Sequence, residues 1–496
     1  MHFVNMGYII DKKSEIHPER IAITDTGRGR SYTYADLRAR SDRCAEFLLD
    51  QGTQRGTTIS VLSGNRAESF DIMFACAKVG CIFVPINFRL SAREVSQIVA
   101  DAQSSLLFFD DDFEEKAGEI DSASVQLVDL QEINFDGPKG PQKRPWDYGS
   151  AEDPFVLIYT SGTSGEPKGA IQTHLNAFFK SVDSIIDWGM TFKDVVLVTA
   201  PLFHVAGLNA LTLSGFHLGA RVVLQNRFDA EETLQVIEQE GVTCFAVVPT
   251  ALRMMANAPS FTKRELRSLR FVPVGGEPLE VSLQDLYLKK GAEVLNVFGL
   301  SETTDGAIYQ RPGTDILNGS VGKPATHVKI RLMGPGSAEV EEGETGEVLV
   351  GGPTVSPGYW NNPQKTSETF MEGWVKTGDL AFRDREGHYY MVGRGDDMIK
   401  SGAEKVSPAE IERVIALVPG VADVVVIGVP DPKWGQVPKA VVARKKGARI
   451  TQDDILEACK RELAGYKKPK TIVVVDDLPK TGSGKIDRSL IKRMYS

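Results

Sequence analysis

Strand-like and helix-like stretches take turns along this chain, and that alternation restricts the fold more than any other feature. Ile59-Ser60-Val61-Leu62 is strand-like, Glu68 to Val79 helical and Cys81 to Ile86 strand-like; Ser91 to Ala102 is a helix opened by a Ser91/Glu94 capping box, and Leu106 to Phe109 is strand-like again. Ahead of them, Thr33 and Asp36 resemble a capping pair, and Leu37, Cys44, Ala45, Leu48 and Leu49 recur at helical spacing until Gly52. Strands joined by helices build a parallel α/β sheet. Further strands are expected at Val195–Val198, Arg221–Leu224, Cys244–Val248, Phe271–Val274 and Val294–Val297. From Val328 onward short strands are split by Gly and Pro, as in Gly346-Glu347-Val348-Leu349-Val350, which predicts a small β subdomain. Beyond Gly393-Arg394 the pattern loosens: helices at Pro408–Leu417 and Asp453–Leu463, strands at Val424–Val429, Ala440–Ala443 and Ile472–Val475.

A chain of 496 residues exceeds what one core supports, so two or more domains are expected. The fold class is α/β: a large N-terminal domain, residues 1–394, of parallel α/β sheets plus the small β subdomain, then a small α+β C-terminal domain, residues 395–496. The boundary falls at Gly395-Asp396-Asp397. A net charge of −9 argues against a nucleic-acid partner, so an anionic ligand would need a locally basic site. Five cysteines without a Cys-x-x-Cys pair fit a reducing, cytoplasmic compartment and suggest no zinc site. The longest apolar-rich stretch, Phe70 to Ile86, is interrupted by Asp71, Lys78 and Gly80, so no membrane span is expected. The first thirteen residues carry no signal or transit pattern, and residues 136–145, rich in Pro, Gly and Lys, read as an exposed loop. Oligomeric state is not written in the residues, a homodimer being one option.

The chemistry begins where the apolar run Phe155-Val156-Leu157-Ile158 enters Tyr159-Thr160-Ser161-Gly162-Thr163-Ser164-Gly165-Glu166-Pro167-Lys168-Gly169. Glycines let backbone N–H groups approach an anion, Thr160, Ser161, Thr163 and Ser164 add hydroxyl donors, and Lys168 adds a positive charge. This is the composition of a polyphosphate cradle, without the Gly-x-x-x-x-Gly-Lys-Ser/Thr spacing of a Walker A loop. Four more stretches bear chemistry at the ends of expected strands or near the C-terminus. In Phe203-His204-Val205-Ala206-Gly207 the histidine by itself is more often a core residue. In Phe298-Gly299-Leu300-Ser301-Glu302-Thr303 the carboxylate suits either Mg²⁺ or a helix cap. Asp379, in Thr377-Gly378-Asp379, could meet a ribose diol or simply close a turn. In Pro479-Lys480-Thr481-Gly482-Ser483-Gly484-Lys485 a lysine on a Gly/Ser loop could bring a compact charge to a phosphoryl group, or be a solvated basic tail.

Taken together and in this order, the Thr160–Lys168 loop, Phe298–Glu302, Thr377–Asp379, Gly393-Arg394-Gly395-Asp396-Asp397-Met398-Ile399-Lys400-Ser401-Gly402 and Pro479–Lys485 resemble the core motifs of the acyl-adenylate-forming family, which includes acyl-CoA synthetases, adenylation domains and firefly luciferase. The resemblance spans essentially the whole chain. It implies ATP, Mg²⁺ and CoA, with Thr160, Ser161, Gly162, Thr163, Ser164, Gly165 and Lys168 closing over the phosphates. Gly275-Gly276-Glu277 and Val297-Phe298-Gly299, with Ser301, resemble the adenine-binding segments, Asp379 and Arg394 the ribose contacts, and Glu302, with Thr160, the Mg²⁺ ligands. Lys485 resembles the adenylation lysine, His204 the residue over the acyl pocket and Asp396 the hinge of a mobile C-terminal domain. Lys400, Ser401 and Gly402 resemble the segment that meets CoA. Phe298 stands where a tyrosine is frequent and Ala403 where a second glycine is common.

No aspartate stands in the Phe203–Ala206 stretch to meet an α-amine, so an amino acid is not the expected substrate. The expected acyl pocket, His204, Val205, Ala206, Asn209, Val248, Gly275, Val297, Leu300 and Gly306, is mostly apolar with no obvious partner for a second charge. A hydrophobic monocarboxylic acid follows, fatty, aryl or arylpropenoic. Small Ala206 and Gly306 leave room, and Val297 narrows the slot. The short stretch after Lys485 favours CoA as acceptor; a carrier-protein-loading ligase and an idle nucleotide or acyl sensor are the alternatives.

Overall fold

The computed structural model describes residues 2–120, 125–137, 146–161, 167–276, 279–313, 317, 319–334, 336, 338–401, 404–432, 434–463, 465–481 and 485–496. The chain divides into two compact units, Met1–Ile330 with Val350–Lys376, and Arg331–Leu349 with Thr377–Ser496. This division differs from a cut at residue 395. Asp379 pairs with Arg394 and Arg383 with Tyr389 across two strands, the Thr377 hydroxyl donates to the Val348 carbonyl (2.8 Å), and the Ser407 hydroxyl donates to the Val392 carbonyl. Those bonds group residues 331–349 and 377–394 with the C-terminal residues.

The first unit carries two sheets. One runs Gln126–Asp129, Leu106–Phe109, Thr58–Leu62, Ile82–Pro85, Pro154–Ser161, Pro167–Thr173. Its strands are parallel up to the last pair, which is antiparallel. All five residues of Thr58–Leu62 are buried, as in a parallel sheet covered on both faces, and this is why its strands read as continuous apolar runs. Helices Ala67–Val79 and Ala92–Ala102 make the crossovers, the second capped by the Ser91/Glu94 box and helix Tyr34–Asp50 by Thr33/Asp36, as the sequence predicts. The other sheet, within this unit, runs Ser320–Pro324, Asp305–Tyr309, Glu293–Leu300, Phe271–Gly275, Cys244–Phe245, Val195–Val198, Arg221–Leu224, Ile21–Asp25, Arg30–Thr33; it is parallel in the middle and antiparallel at both ends.

Three elements depart from expectation. Cys244–Val248 shortens to Cys244–Phe245 because Pro249 opens a helix, Pro249–Ala256, leaving only a bridge from Val247 to Val274. Glu293–Leu300 runs three residues beyond Val297. Helix Met6–Ile16 has no sequence signal of an apolar stripe, since its buried face includes Asp11 and Ser14. The five cysteines are buried free thiols, and among the described residues no helix is long and apolar enough to cross a membrane.

In the second unit, strands Val421–Asp431 and Gly435–Arg444 form a long antiparallel pair, flanked by Thr471–Val475 and Ile399–Ser401 on Gly435–Arg444. Helices Pro408–Ala416 and Gln452–Glu462 bury Ile411, Ile415, Ile455 and Cys459 with Val426, Ala440, Val442 and Ile472. Ile491 of helix Arg488–Tyr495 packs with Leu478 against Val425, Ile427 and Val441. Of residues 136–145, the expected exposed loop, 138–145 lie outside the described residues.

Candidate active site

Open α/β sheets bind ligands beyond the carboxyl ends of their strands, and two neighbouring strands open there. Val294, Leu295 and Asn296 are buried, whereas Val297, Phe298, Gly299 and Leu300 are half-buried; Phe271–Val274 are buried and Gly275 is half-buried. Gly275 pairs with Val297 so closely that a Cβ on it would lie 2.8 Å from the Val297 carbonyl oxygen. A side chain on Gly306 would meet Val297 Cγ1 at 2.7 Å. The room expected at Gly306 is therefore taken by Val297. Gly276 turns with a φ of +87°, a conformation that favours glycine.

The strands Pro154–Ser161 and Pro167–Thr173 that flank the hydroxyl-rich loop pair antiparallel as the arms of a β-hairpin, a pairing the sequence did not announce. Thr160 pairs with Lys168 and Ser161 with Pro167. Gly162, Thr163, Ser164, Gly165 and Glu166 lie outside the described residues, as do Glu277 and Gly402 and the side chains of Ser161, Asp396 and Lys400. At the hairpin's base, the Tyr159 hydroxyl donates to Asp101 Oδ2 (2.6 Å); burial, then this carboxylate, pushes the phenol's pKa up.

One residue passed over in the sequence ties the hairpin to Glu302. Lys168 Nζ lies 5.9 Å from the centre of the Tyr359 ring, and the Tyr359 hydroxyl donates to Glu302 Oε1 (2.6 Å). The Ser356 N–H donates to the Glu302 carbonyl (2.9 Å), and the Trp360 N–H to the Gly169 carbonyl (2.8 Å). The only sequence signal for Tyr359 is its place after the turn-like Ser356-Pro357-Gly358. Glu302 is not a helix cap: Thr303 Oγ1 takes the Leu300 N–H (2.9 Å) on the turn Ser301–Thr303. That leaves the half-buried Glu302 carboxylate, with the half-buried Thr160, as a set of hard oxygen donors, and such a set fits Mg²⁺.

His204 is the residue before the short helix Val205–Leu208, half-buried like Val205, Ala206 and Val248, with its ring 4.7 Å from that of Phe203. Asn209 is instead buried, its Nδ2 donating to Gln172 Oε1 (2.7 Å), and Gln172 Nε2 reaches the Ser301 carbonyl (3.4 Å).

In the second unit Arg394 Nε stands 3.4 Å from Asp379 Oδ1, and the Asp379 N–H donates to Thr377 Oγ1 (3.0 Å). Ser401 is buried and pairs with Glu404 and Gly435. Lys485 closes a tight hairpin: the Thr481 N–H donates to the Lys485 carbonyl (2.6 Å), the Asp487 N–H donates to the Pro479 carbonyl (2.8 Å), and Lys480 bridges to Ile486. The structure thus gathers Thr160, Lys168 and Glu302 in one unit, and Asp379 with Arg394 in the other.

Half-buried strand ends at Gly275 and Val297–Leu300, with Lys168 linked to Glu302 through Tyr359, suit an α/β enzyme that binds a phosphorylated ligand. Residues 10–360 match the AMP-binding enzyme family and residues 410–485 the AMP-binding enzyme C-terminal domain. The chain is 36% identical over 485 residues to a feruloyl-CoA synthase of Amycolatopsis sp, covering 98% of each. It is 32% identical over 518 residues to a long-chain-fatty-acid–CoA ligase of Mycobacterium tuberculosis, covering 99% of each. An o-succinylbenzoate CoA synthetase of Bacillus subtilis, solved with its acyl-adenylate intermediate, superposes with a TM-score of 0.88 at 32% identity over 98% of this chain and 97% of that one. The same synthetase has been solved with ATP and magnesium ion, with a TM-score of 0.88 at 33% identity over 98% and 99%. The chain belongs to the AMP-binding enzyme family.

Proposed function

We propose that this chain is an AMP-forming acyl-CoA synthetase, an acid–thiol ligase that activates a hydrophobic monocarboxylic acid with ATP and passes the acyl group to CoA. The observation that carries it is the Lys168–Tyr359–Glu302 arrangement near the half-buried strand ends, in a chain that covers 98% and 99% of two CoA-ligase relatives. Of the two acid classes, the aromatic one is favoured, the aryl relative being 36% identical and the fatty-acid relative 32%.

A carboxylate would have to expel oxide to acylate a thiol, so it is first joined to AMP. Its oxygen attacks the α-phosphorus, the bond to the β-phosphate oxygen breaks, and pyrophosphate leaves. Two anions meet in that step, and Lys485 and Lys168 supply positive charge to the phosphates. Mg²⁺, held by Glu302 and the Thr160 hydroxyl, would neutralise phosphate charge and align the leaving pyrophosphate. Tyr359 fixes the Glu302 carboxylate. Asp379 and Arg394 take the ribose, Val297, Phe298, Gly299 and Ser301 the adenine side, and His204 stands over the acyl group. In the second step the CoA thiol, losing its proton, attacks the acyl carbonyl and AMP leaves. We infer that the piece beyond Asp396 turns about that residue between steps, exchanging the Lys485 hairpin for the Lys400–Gly402 face.

Five buried, unpaired thiols support a reducing, cytoplasmic location. A panel of carboxylic acids, read out as AMP formation with and without CoA, tests the function: acid-dependent AMP release that multiplies with CoA is expected. Acid-independent AMP release would refute it, and full turnover only with an acyl carrier protein would move the chain to the carrier-loading reading.

A further inference from the structure

Against the segments assigned to the acyl pocket runs a buried polar chain that the reaction above does not use. Lys180, on helix His174–Asp187, is only 1% exposed. Its Nζ donates to Ser184 Oγ (3.0 Å), and Ser184 donates to the Ala210 carbonyl (3.1 Å). The same Nζ lies 3.9 Å from Asp305 Oδ2 and 5.0 and 5.1 Å from the ring centres of Trp188 and Tyr309. Asp305 begins the strand Asp305–Tyr309, opposite Leu300 and next to Gly306, and its side chain keeps 13% exposure. Asn209, one residue before Ala210, is 1% exposed, and its Oδ1 is buried without a hydrogen-bond partner. The Val205–Asn209 segment, the end of Glu293–Leu300 and the start of Asp305–Tyr309 are thus joined through Lys180, Ser184 and Gln172.

The other wholly buried lysine among the described residues of this unit shows what saturation looks like. Lys78 Nζ has Asp42 Oδ1 at 2.6 Å, Asp11 Oδ1 at 2.8 Å and Ser41 Oγ at 2.8 Å. Lys180 has one hydroxyl, two ring faces and a carboxylate at longer range. Asp305 moreover holds a φ of +115°, a strained value for a residue other than glycine, and such strain collects where a side chain meets a ligand. Burial pushes the Asp305 carboxyl up and the Lys180 ammonium down, and each charge draws the other back.

We propose that Asp305, held by Lys180, and the Oδ1 of Asn209 form a hydrogen-bond-accepting floor of the acyl pocket, so that the acid this chain activates carries a neutral donor, a hydroxyl or a ring N–H, away from its carboxyl group. This rests on the ligase reading given above. A plain hydrocarbon would leave the Asn209 oxygen buried and unpaired, which disfavours it relative to a donor-bearing acid. A second carboxylate would be repelled by Asp305, and an ammonium would compete with Lys180 for it. The pocket is therefore less apolar than its sequence suggested.

The test compares kcat/KM for CoA-dependent AMP formation with phenylpropenoic acid and with its ring-hydroxylated forms. One hydroxylated form is expected to exceed the parent by about 10²-fold. The ratio should fall at least about tenfold in the double variant Lys180→Met/Asp305→Gly, in which no lysine is stranded and glycine accepts the φ, and in Asn209→Leu. Melting curves with and without ATP establish that each variant is folded; should the double variant not fold, the wild-type ratio and Asn209→Leu decide. Equal turnover of parent and hydroxylated acids, or a preference untouched by folded variants, overturns the accepting floor and leaves the ligase reading standing. Failure of every acid to yield AMP overturns the ligase reading itself.

Discussion

The two units hold their candidate functional residues by different means. In the first, Lys168, Tyr359 and Glu302 are fixed by side-chain contacts between segments far apart in sequence, and Glu302 is further pinned through its own carbonyl by Ser356. In the second, Lys485 rides on a hairpin closed by local backbone bonds, and Asp379 faces Arg394 across adjacent strands. A site that must grip nucleotide and metal gains from preorganised, long-range support. A lysine that serves one half-reaction and then yields its place is better carried on a compact element that moves as a piece. On the proposed function, Lys168, Tyr359 and Glu302 of the first unit are the gripping part, and the piece beyond Asp396 that carries Lys485 is the delivering part.

The sharpest break in that contrast would come from Lys485→Ala. Pyrophosphate release is expected to drop on the order of 10²-fold or more while ATP binding persists; unchanged ATP–pyrophosphate exchange would remove Lys485 from the chemistry. Next in size, Asp396→Pro should stop thioester formation and spare adenylation, read by following both half-reactions in one preparation. Tyr359→Phe keeps the ring against Lys168 and loses the bond to Glu302. A roughly tenfold rise in the Mg²⁺ needed for half-maximal exchange is expected, within the range for a hydrogen bond to a charged group. An unshifted Mg²⁺ curve would separate Tyr359 from the metal.

The smallest effect concerns the frame of the first unit. His174 is fully buried, its Nδ1 accepting the Met6 N–H (3.3 Å) and its ring stacked 4.7 Å from Phe155, and burial then Arg55 lower its pKa to about 3. The folded chain therefore keeps this histidine neutral while the unfolded chain takes up a proton near pH 6.5. The stability is complete above that pH and falls away as pH drops from 6.5 toward 3, by about 2 kcal/mol at pH 5. Denaturant titrations of wild type and His174→Gln at pH 8 and pH 5 check it: the loss between the two pH values should shrink in the variant.

Much of the fold was legible because buried parallel strands write themselves as apolar runs, and Thr33 and Ser91 mark helix starts in a few residues. What stayed hidden depends on partners distant along the chain. Nothing near Tyr359 announces Glu302, and nothing near Lys180 announces Asp305. The strand Pro167–Thr173 was masked by its own Pro-Lys-Gly start, which resembles a loop exit. Asn209 was expected in the acyl pocket from the sequence, but its orphaned oxygen is a property of packing alone.

The division of labour between the gripping and delivering parts is tested most directly by giving Lys485→Ala and Asp396→Pro a preformed acyl-adenylate together with CoA. Lys485→Ala should make the thioester at close to the wild-type rate although it cannot make the adenylate, and Asp396→Pro should make the adenylate from acid and ATP yet leave it unconsumed. Loss of thioester formation in Lys485→Ala, or full conversion by Asp396→Pro, would contradict the account.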